Sequence, residues 1–177
     1  MRADLQDAAV DRAELQAAQK PLKDRYREEP AAALITLRAQ GKLDEGEIAC
    51  KVETGRVLVE AGLHPATGGT GALACSGDML LEALVACAGV TLCSVATSME
   101  LDVSGTIHAE GDLDFRGTLG VDREAPVGFA AIRLRFELAA DASEEELAKL
   151  FERTERYCVV FQTLAGGVPV ELAYSTA

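Results

Sequence analysis

The chain has 177 residues, 49% of them hydrophobic and 26% charged, with no tryptophan. That length suffices for one domain with a sizeable core, and the apolar share excludes a disordered chain. The formal charge is −12 and no basic patch is visible, which argues against nucleic acids and anionic membranes as partners.

The first 30 residues read as a polar, Ala-rich helical arm with a weak apolar stripe at Leu5, Ala8, Ala9 and Leu15, interrupted at Pro21 and Pro30. The arm is either a loosely docked terminus or a segment that embraces a second copy. The start, Met1-Arg2-Ala3-Asp4, runs into mixed charge and predicts no secretory leader. Residues 31–177 read as one α+β domain.

Residues 32–38 suggest a strand, and Gly41 to Gly46 a turn. Strand character resumes over 47–60, where Ile48, Cys50 and Val52 alternate with Ala49, Lys51 and Glu53. The pair suggests an N-terminal hairpin. A Gly-rich connection over 61–75 follows, with Gly62, Gly68, Gly69 and Gly71. A loop of that length inside a domain is often functional.

A long helix is predicted from Ser76 to about Met99, with Ser76 as its cap and Asp78 favourable in its first turn. From Ala83 to Met99 there are 17 residues without a charge, short of the ~20 that cross a bilayer. Apolar residues on nearly every side predict a helix buried all round. Beyond it, residues 105–115 and 129–138 each alternate strictly, as strands with one wet face do. His108 falls on the wet face of the first. Ser143 and Glu146 form a capping box, which opens an amphipathic helix whose stripe runs Leu147, Leu150, Phe151, Thr154 and, at i+4, Cys158. Val168 to Tyr174 reads as a last strand. Strands, long helix, strands, helix, strand is an α+β order.

The five cysteines are Cys50, Cys75, Cys87, Cys93 and Cys158. An odd count without a leader predicts a reducing, cytoplasmic setting rather than a secreted disulfide framework. No C-x-x-C and no His pair at i, i+4 occur, so neither a metal nor another cofactor is expected. Cys50 and Cys93 read as packing residues, and Cys75 in the loop is left undecided. Cys87 lies midway along the long helix, far from that helix's N-terminus. If it is a reactive thiolate, it needs a cation from elsewhere. Cys158 lies on the buried stripe, against the core where the long helix must also lie.

Two segments resemble motifs of the OsmC/Ohr family. Ser76-Gly77-Asp78-Met79-Leu80-Leu81-Glu82-Ala83-Leu84-Val85-Ala86-Cys87-Ala88-Gly89-Val90-Thr91-Leu92 is similar to its central-helix motif, and Glu155-Arg156-Tyr157-Cys158-Val159-Val160 to its second-cysteine motif. The resemblance spans roughly residues 32–174. It implies an intertwined α+β homodimer, with antiparallel sheets around long buried central helices and active sites at the subunit interface. It also implies reduction of organic hydroperoxides, with Cys87 as the attacking thiol, Cys158 as its disulfide partner and an external dithiol as reductant. The family's glutamate, ten residues before the cysteine, is Gly77 here, with Asp78 beside it. The family's arginine near the first hairpin has no clean match. Arg38, Lys42 and Arg56 are the cations that the resemblance leaves for that role. Two other readings compete: a non-catalytic relative that binds a small apolar or thiol ligand at the dimer interface, and a stress protein whose cysteines only pack.

Overall fold

The computed structural model describes residues 11–34, 40–43, 49–53 and 58–175. Helix α1 (Arg12–Glu28) opens on a capping box in which Asp11 accepts from the Glu14 N–H at 2.8 Å and Glu14 accepts from the Asp11 N–H at 3.3 Å. Pro21 was expected to interrupt this helix and does not. It removes one backbone donor, but it and Ala17, four residues before it, are both exposed, so that helix carbonyl is open to water. Pro30 instead opens a short 3-10 turn, Pro30–Ala33. The expected strand over 32–38 is therefore absent at its beginning, and residues 35–39 lie outside the described residues.

The N-terminal sheet is a meander rather than a single hairpin. Strand β1 (Gln40–Leu43) occupies part of the expected turn, pairs antiparallel with β2 (Ala49–Glu53), and β2 pairs antiparallel with β3 (Leu58–Gly62). Thr54-Gly55, by residue type a turn or a bulge, lies outside the described residues. The Gly-rich connection holds a 3-10 turn, Pro65–Thr67, closed by Gly68 at φ 92°, then a two-residue strand β4 (Ala74–Cys75) parallel to β3.

Strand β4 delivers the chain into α2 (Ser76–Met99). Cys75, not Ser76, is the cap residue, and no side chain caps this end; Asp78 does sit in the first turn. At 24 residues α2 spans about 36 Å, a length and composition that would also cross a bilayer. Here it packs against α4, α5 and β5 (ranges below). It is not buried all round. Leu84, Ala88, Leu92, Val95 and Ala96 are buried, whereas Val90 is 73% exposed. All-round apolar patterning specifies that every face wants cover, and one chain covers only part of it.

Strands β5 (Val103–Leu113) and β6 (Phe129–Ala140) form a long antiparallel ribbon. The alternation holds: Ile132, Leu134, Phe136 and Leu138 are half-buried, and Arg133, Arg135 and Glu137 are exposed. The pairing slips at Asp112/Leu113, beside Gly111, where an added Cβ would come within 2.4 Å of the Phe129 ring. Only glycine lets that ring lie across the strand. Phe115, expected in β5, starts the short helix α3 (Phe115–Thr118) behind the Asp114 cap. His108 is half-buried; its Nε2 is shielded, 3.5 Å from a Glu137 oxygen without hydrogen-bond geometry.

Helix α4 (Glu144–Tyr157) carries the predicted box: Ser143 N donates to Glu146 at 2.9 Å. Its stripe meets α2, so that Leu92, Val95, Ala96 and Leu150 form the core, flanked by Phe136, Leu138 and Leu147. Helix α5 (Val159–Gly166) follows, ended by Gly167 at φ 61°. The last predicted strand does not form. Residues 168–175 have no regular structure, and Val170, Leu172 and Tyr174 are 89–90% exposed. Their alternation is real, but among the described residues no strand pairs with them.

Candidate active site

The joint between α4 and α5 is one residue, Cys158. It is the C-cap of the first helix and the N-cap of the second, with φ −74° and ψ 104°. Its N–H donates to the Thr154 carbonyl at 3.0 Å and its carbonyl accepts from Gln162 at 2.9 Å. The Gln162 side chain reaches back to the Glu155 carbonyl at 2.9 Å, which braces the corner. At 1% exposure the Cys158 thiol is buried. This is the end of the stripe read from sequence, and both α4 and α5 pack on α2.

Across from it stands Cys87, half-buried, three turns into α2. The two thiols are near enough to influence one another's ionisation. Burial acts to raise the Cys87 pKa. The backbone N–H groups of Val160 and Val159, the Cys158 thiol and the Thr91 hydroxyl outweigh it, and the net shift is downward. Cys158 is pushed the other way, by its burial above all and then by the neighbouring Cys87, against the N–H groups of Phe161 and Val160. One thiol is prepared to ionise and the other to stay protonated.

This corrects the expectation that Cys87 depends on a cation because no helix N-terminus is near. Its own helix gives no such help, but the N-terminus of α5 does. Val159 and Val160 are the first two residues of α5, where N–H groups have no partner within the helix. Both missed contributors had a sequence signal. Thr91 is four residues beyond Cys87 and therefore on its face. The run Val159-Val160-Phe161, closed eight residues after Cys158 by Gly166-Gly167, has the length and stop of a short helix.

The remaining candidates are not gathered here. Asp78 is exposed and nine residues up α2, about 13 Å from Cys87 along the axis. It borders an open cavity of ≈ 400 Å³ with Glu82 and Val85. A Cβ at Gly77 would meet Phe129, Cys75 Sγ and Leu113 at 3.5–3.6 Å, none of them basic. Lys42 lies in β1 opposite Lys51. Arg38 and Arg56 lie outside the described residues. Cys93 is exposed, against the reading of it as a packing residue, because it faces the side of α2 away from α4 and α5; Cys75 is half-buried. Of Cys50 only the backbone, in β2, is described.

Beside Cys158 is a cavity of ≈ 180 Å³ lined by Ala88, Leu134, Phe136, Phe151 and Phe161 among others. The Phe136 and Phe151 rings meet edge to face at 5.4 Å. The cavity's lining is mostly apolar, with Thr154 and Glu155 the exceptions, and a pocket of that size and character accepts a small apolar molecule.

A helix packed on an antiparallel ribbon, with a thiol on the helix meeting a thiol at a helix corner, defines an α+β dithiol protein. The OsmC-like protein family profile matches residues 69–173, more than half of the chain, and the chain belongs to the OsmC/Ohr family. No curated protein matches the sequence. Solved structures agree on the fold. An OsmC-like protein from Mycoplasma pneumoniae superposes with a TM-score of 0.61 at 18% identity, over 75% of this chain and 89% of that one. An OsmC-like protein of unknown function from Vibrio cholerae gives 0.58 at 16%, over 73% and 94%. An organic hydroperoxide resistance protein, OsmC, from Legionella pneumophila gives 0.52 at 17%, over 76% and 92%.

Proposed function

We propose that this chain reduces organic hydroperoxides through Cys87, with Cys158 as the resolving thiol. The observation that carries the reading is the pair itself: two neighbouring thiols, with the Cys87 pKa shifted down and the Cys158 pKa shifted up. The Cys87 thiolate attacks the terminal oxygen of the hydroperoxide. An S–O bond forms, the O–O bond breaks, and the alkoxide leaves as an alcohol after taking a proton. Cys158 then attacks the sulfenic sulfur and releases water, and an external dithiol reduces the resulting disulfide. The family and the Legionella relative's name favour this role, and recycling by a dithiol suits a cytoplasmic setting.

The reading includes a homodimer. Val90 on α2 and the alternating Val170, Leu172 and Tyr174 are exposed apolar side chains, of the kind an interaction surface presents. A second copy would cover both.

The ≈ 180 Å³ cavity at Cys158 favours one other reading, a non-catalytic relative that holds a small apolar or thiol ligand. A thiol titration separates the two. One equivalent of cumene hydroperoxide should remove two free thiols per chain, and dithiothreitol should restore them. An unchanged thiol count means the peroxidase reading is wrong.

A further inference from the structure

Helix α1 lies outside the matched family segment, yet it builds one wall of a groove whose floor is α2. The groove has a volume of ≈ 580 Å³, and its lining includes Leu15 and Lys23 of α1, Val90, Thr91 and Ser98 of α2, and Tyr157 of α4. Thr91 lies one turn beyond Cys87 on the same face of α2 and is among the groups that lower its pKa, and Tyr157 immediately precedes Cys158. Cys87, Thr91 and Ser98 follow one another at i, i+4 and i+11, so they lie along one face of α2. The groove floor therefore continues the line of Cys87.

The direction of α1 brings its middle to that end. Arg12 is held to Glu100, at the C-terminus of α2, at 2.8 Å. Eleven residues later, about 16 Å along the helix, Lys23 faces Val90 and Thr91 across the groove. The other bases of α1 are paired: Arg12 with Glu100, Lys20 and Arg27 with Asp24, Arg25 with Glu29. Among the described residues Lys23 has no carboxylate partner. On a chain of net charge −12, an unpaired ammonium beside a partly apolar groove is complementary to negative charge that arrives or develops there.

We propose that Lys23 is a catalytic residue that protonates the departing alkoxide during hydroperoxide reduction. The inference rests on the peroxidase reading and adds the proton donor that reading leaves unnamed. As the Cys87 thiolate takes the terminal oxygen, the O–O electron pair goes to the alkoxide oxygen. The Lys23 ammonium gives that oxygen a proton, the alcohol leaves, and the neutral amine regains a proton from water. The arm thereby supplies a positive group from a part of the chain that the family match does not include.

The test compares two oxidants with different leaving groups on the full chain. Cumene hydroperoxide releases a strongly basic alkoxide that needs a proton; perbenzoic acid releases a carboxylate that does not. Lys23→Met should slow cumene hydroperoxide reduction on the order of 100-fold, the lower end for a positioned general acid. The same variant should lose less than about threefold with perbenzoic acid, because little proton transfer is needed there. Lys20→Met, on the exposed side of α1, is the control and should match the parent. Iodoacetamide alkylation of Cys87 at pH 7 should be equal in all three proteins. Two results overturn the proposal: parental rates for Lys23→Met with cumene hydroperoxide, or equal losses with both oxidants. If the parent itself consumes no hydroperoxide, the peroxidase reading fails and the role of Lys23 fails with it.

Discussion

Cys87 and Cys158 act on one another in opposite directions: their proximity eases ionisation of Cys87 and hinders that of Cys158. The two thiols thus differ in protonation although they share a site. Their substitutions should differ in kind as well. Cys87→Ser should abolish hydroperoxide consumption. Cys158→Ser should consume about one equivalent and stop as a sulfenic acid that dimedone traps. If Cys87→Ser keeps the parental rate in a peroxide assay, the thiol mechanism is wrong.

The pH dependence of Cys87 tests the source of its lowered pKa. Only the thiolate is alkylated, so the midpoint of the iodoacetamide rate should lie below the ~8.5 of a free thiol. Val159→Pro removes one of the α5 donors. Proline suits the first position of a helix, and Cys158 before it already has the extended backbone that proline requires. Helicity by circular dichroism should persist while the midpoint moves up, towards the ordinary thiol value. An unmoved midpoint would mean that the N-terminus of α5 does not set it.

Stability should depend on the α2–α4 contact. Leu150 is fully buried among Leu92, Val95 and Ala96, and Leu150→Ala should cost about 2–5 kcal/mol in urea unfolding. Ser143→Ala removes the cap of α4 and should cost about 1 kcal/mol. The order of the two effects is the firmer expectation. A cap that matters more than the core would place the core elsewhere.

Deletion of residues 168–177 should weaken self-association without unfolding the chain. In one copy Val170, Leu172 and Tyr174 are almost fully exposed, so their removal takes little from the monomer. Light scattering at micromolar concentration should show a dimer for the full chain and a shift towards monomer for the deletion. Equal dimerisation of the two proteins would assign the interface to other residues.

What the sequence made legible is what local chemistry decides. The Ser143–Glu146 box, the alternation of Ile132 to Leu138 and the apolar length of α2 each depend on neighbours a few residues away. The Cys87–Cys158 pairing came from the motif resemblance, and Cys158 at i+4 on the α4 stripe agreed with it. What failed depends on distant partners. The alternation of Val168 to Tyr174 states that one face is apolar but not which strand covers it. The all-round apolar pattern of α2 likewise states that every face wants cover, but not which chain supplies it. The α5 N-terminus is not legible from the helix that contains Cys87, because a thiolate responds to any donor in space. At Gln40–Leu43 the Gly-Lys pair was read as turn chemistry and is strand, a case where pairing with β2 overrides local preference.

The corner at Cys158 has a consequence for how a redox cycle affects the fold. Its backbone ends one helix and begins the next, yet its side chain caps neither. The backbone hydrogen bonds that hold the elbow, Cys158 N–H to Thr154 and Gln162 N–H to Cys158, do not involve the sulfur and can persist when it changes covalent partner. What changes on oxidation is connectivity: a disulfide to Cys87 would fasten the α4–α5 elbow to the middle of α2 and close a loop of some seventy residues between them. The reduced and oxidised proteins would then share one architecture but differ in how easily the elbow opens.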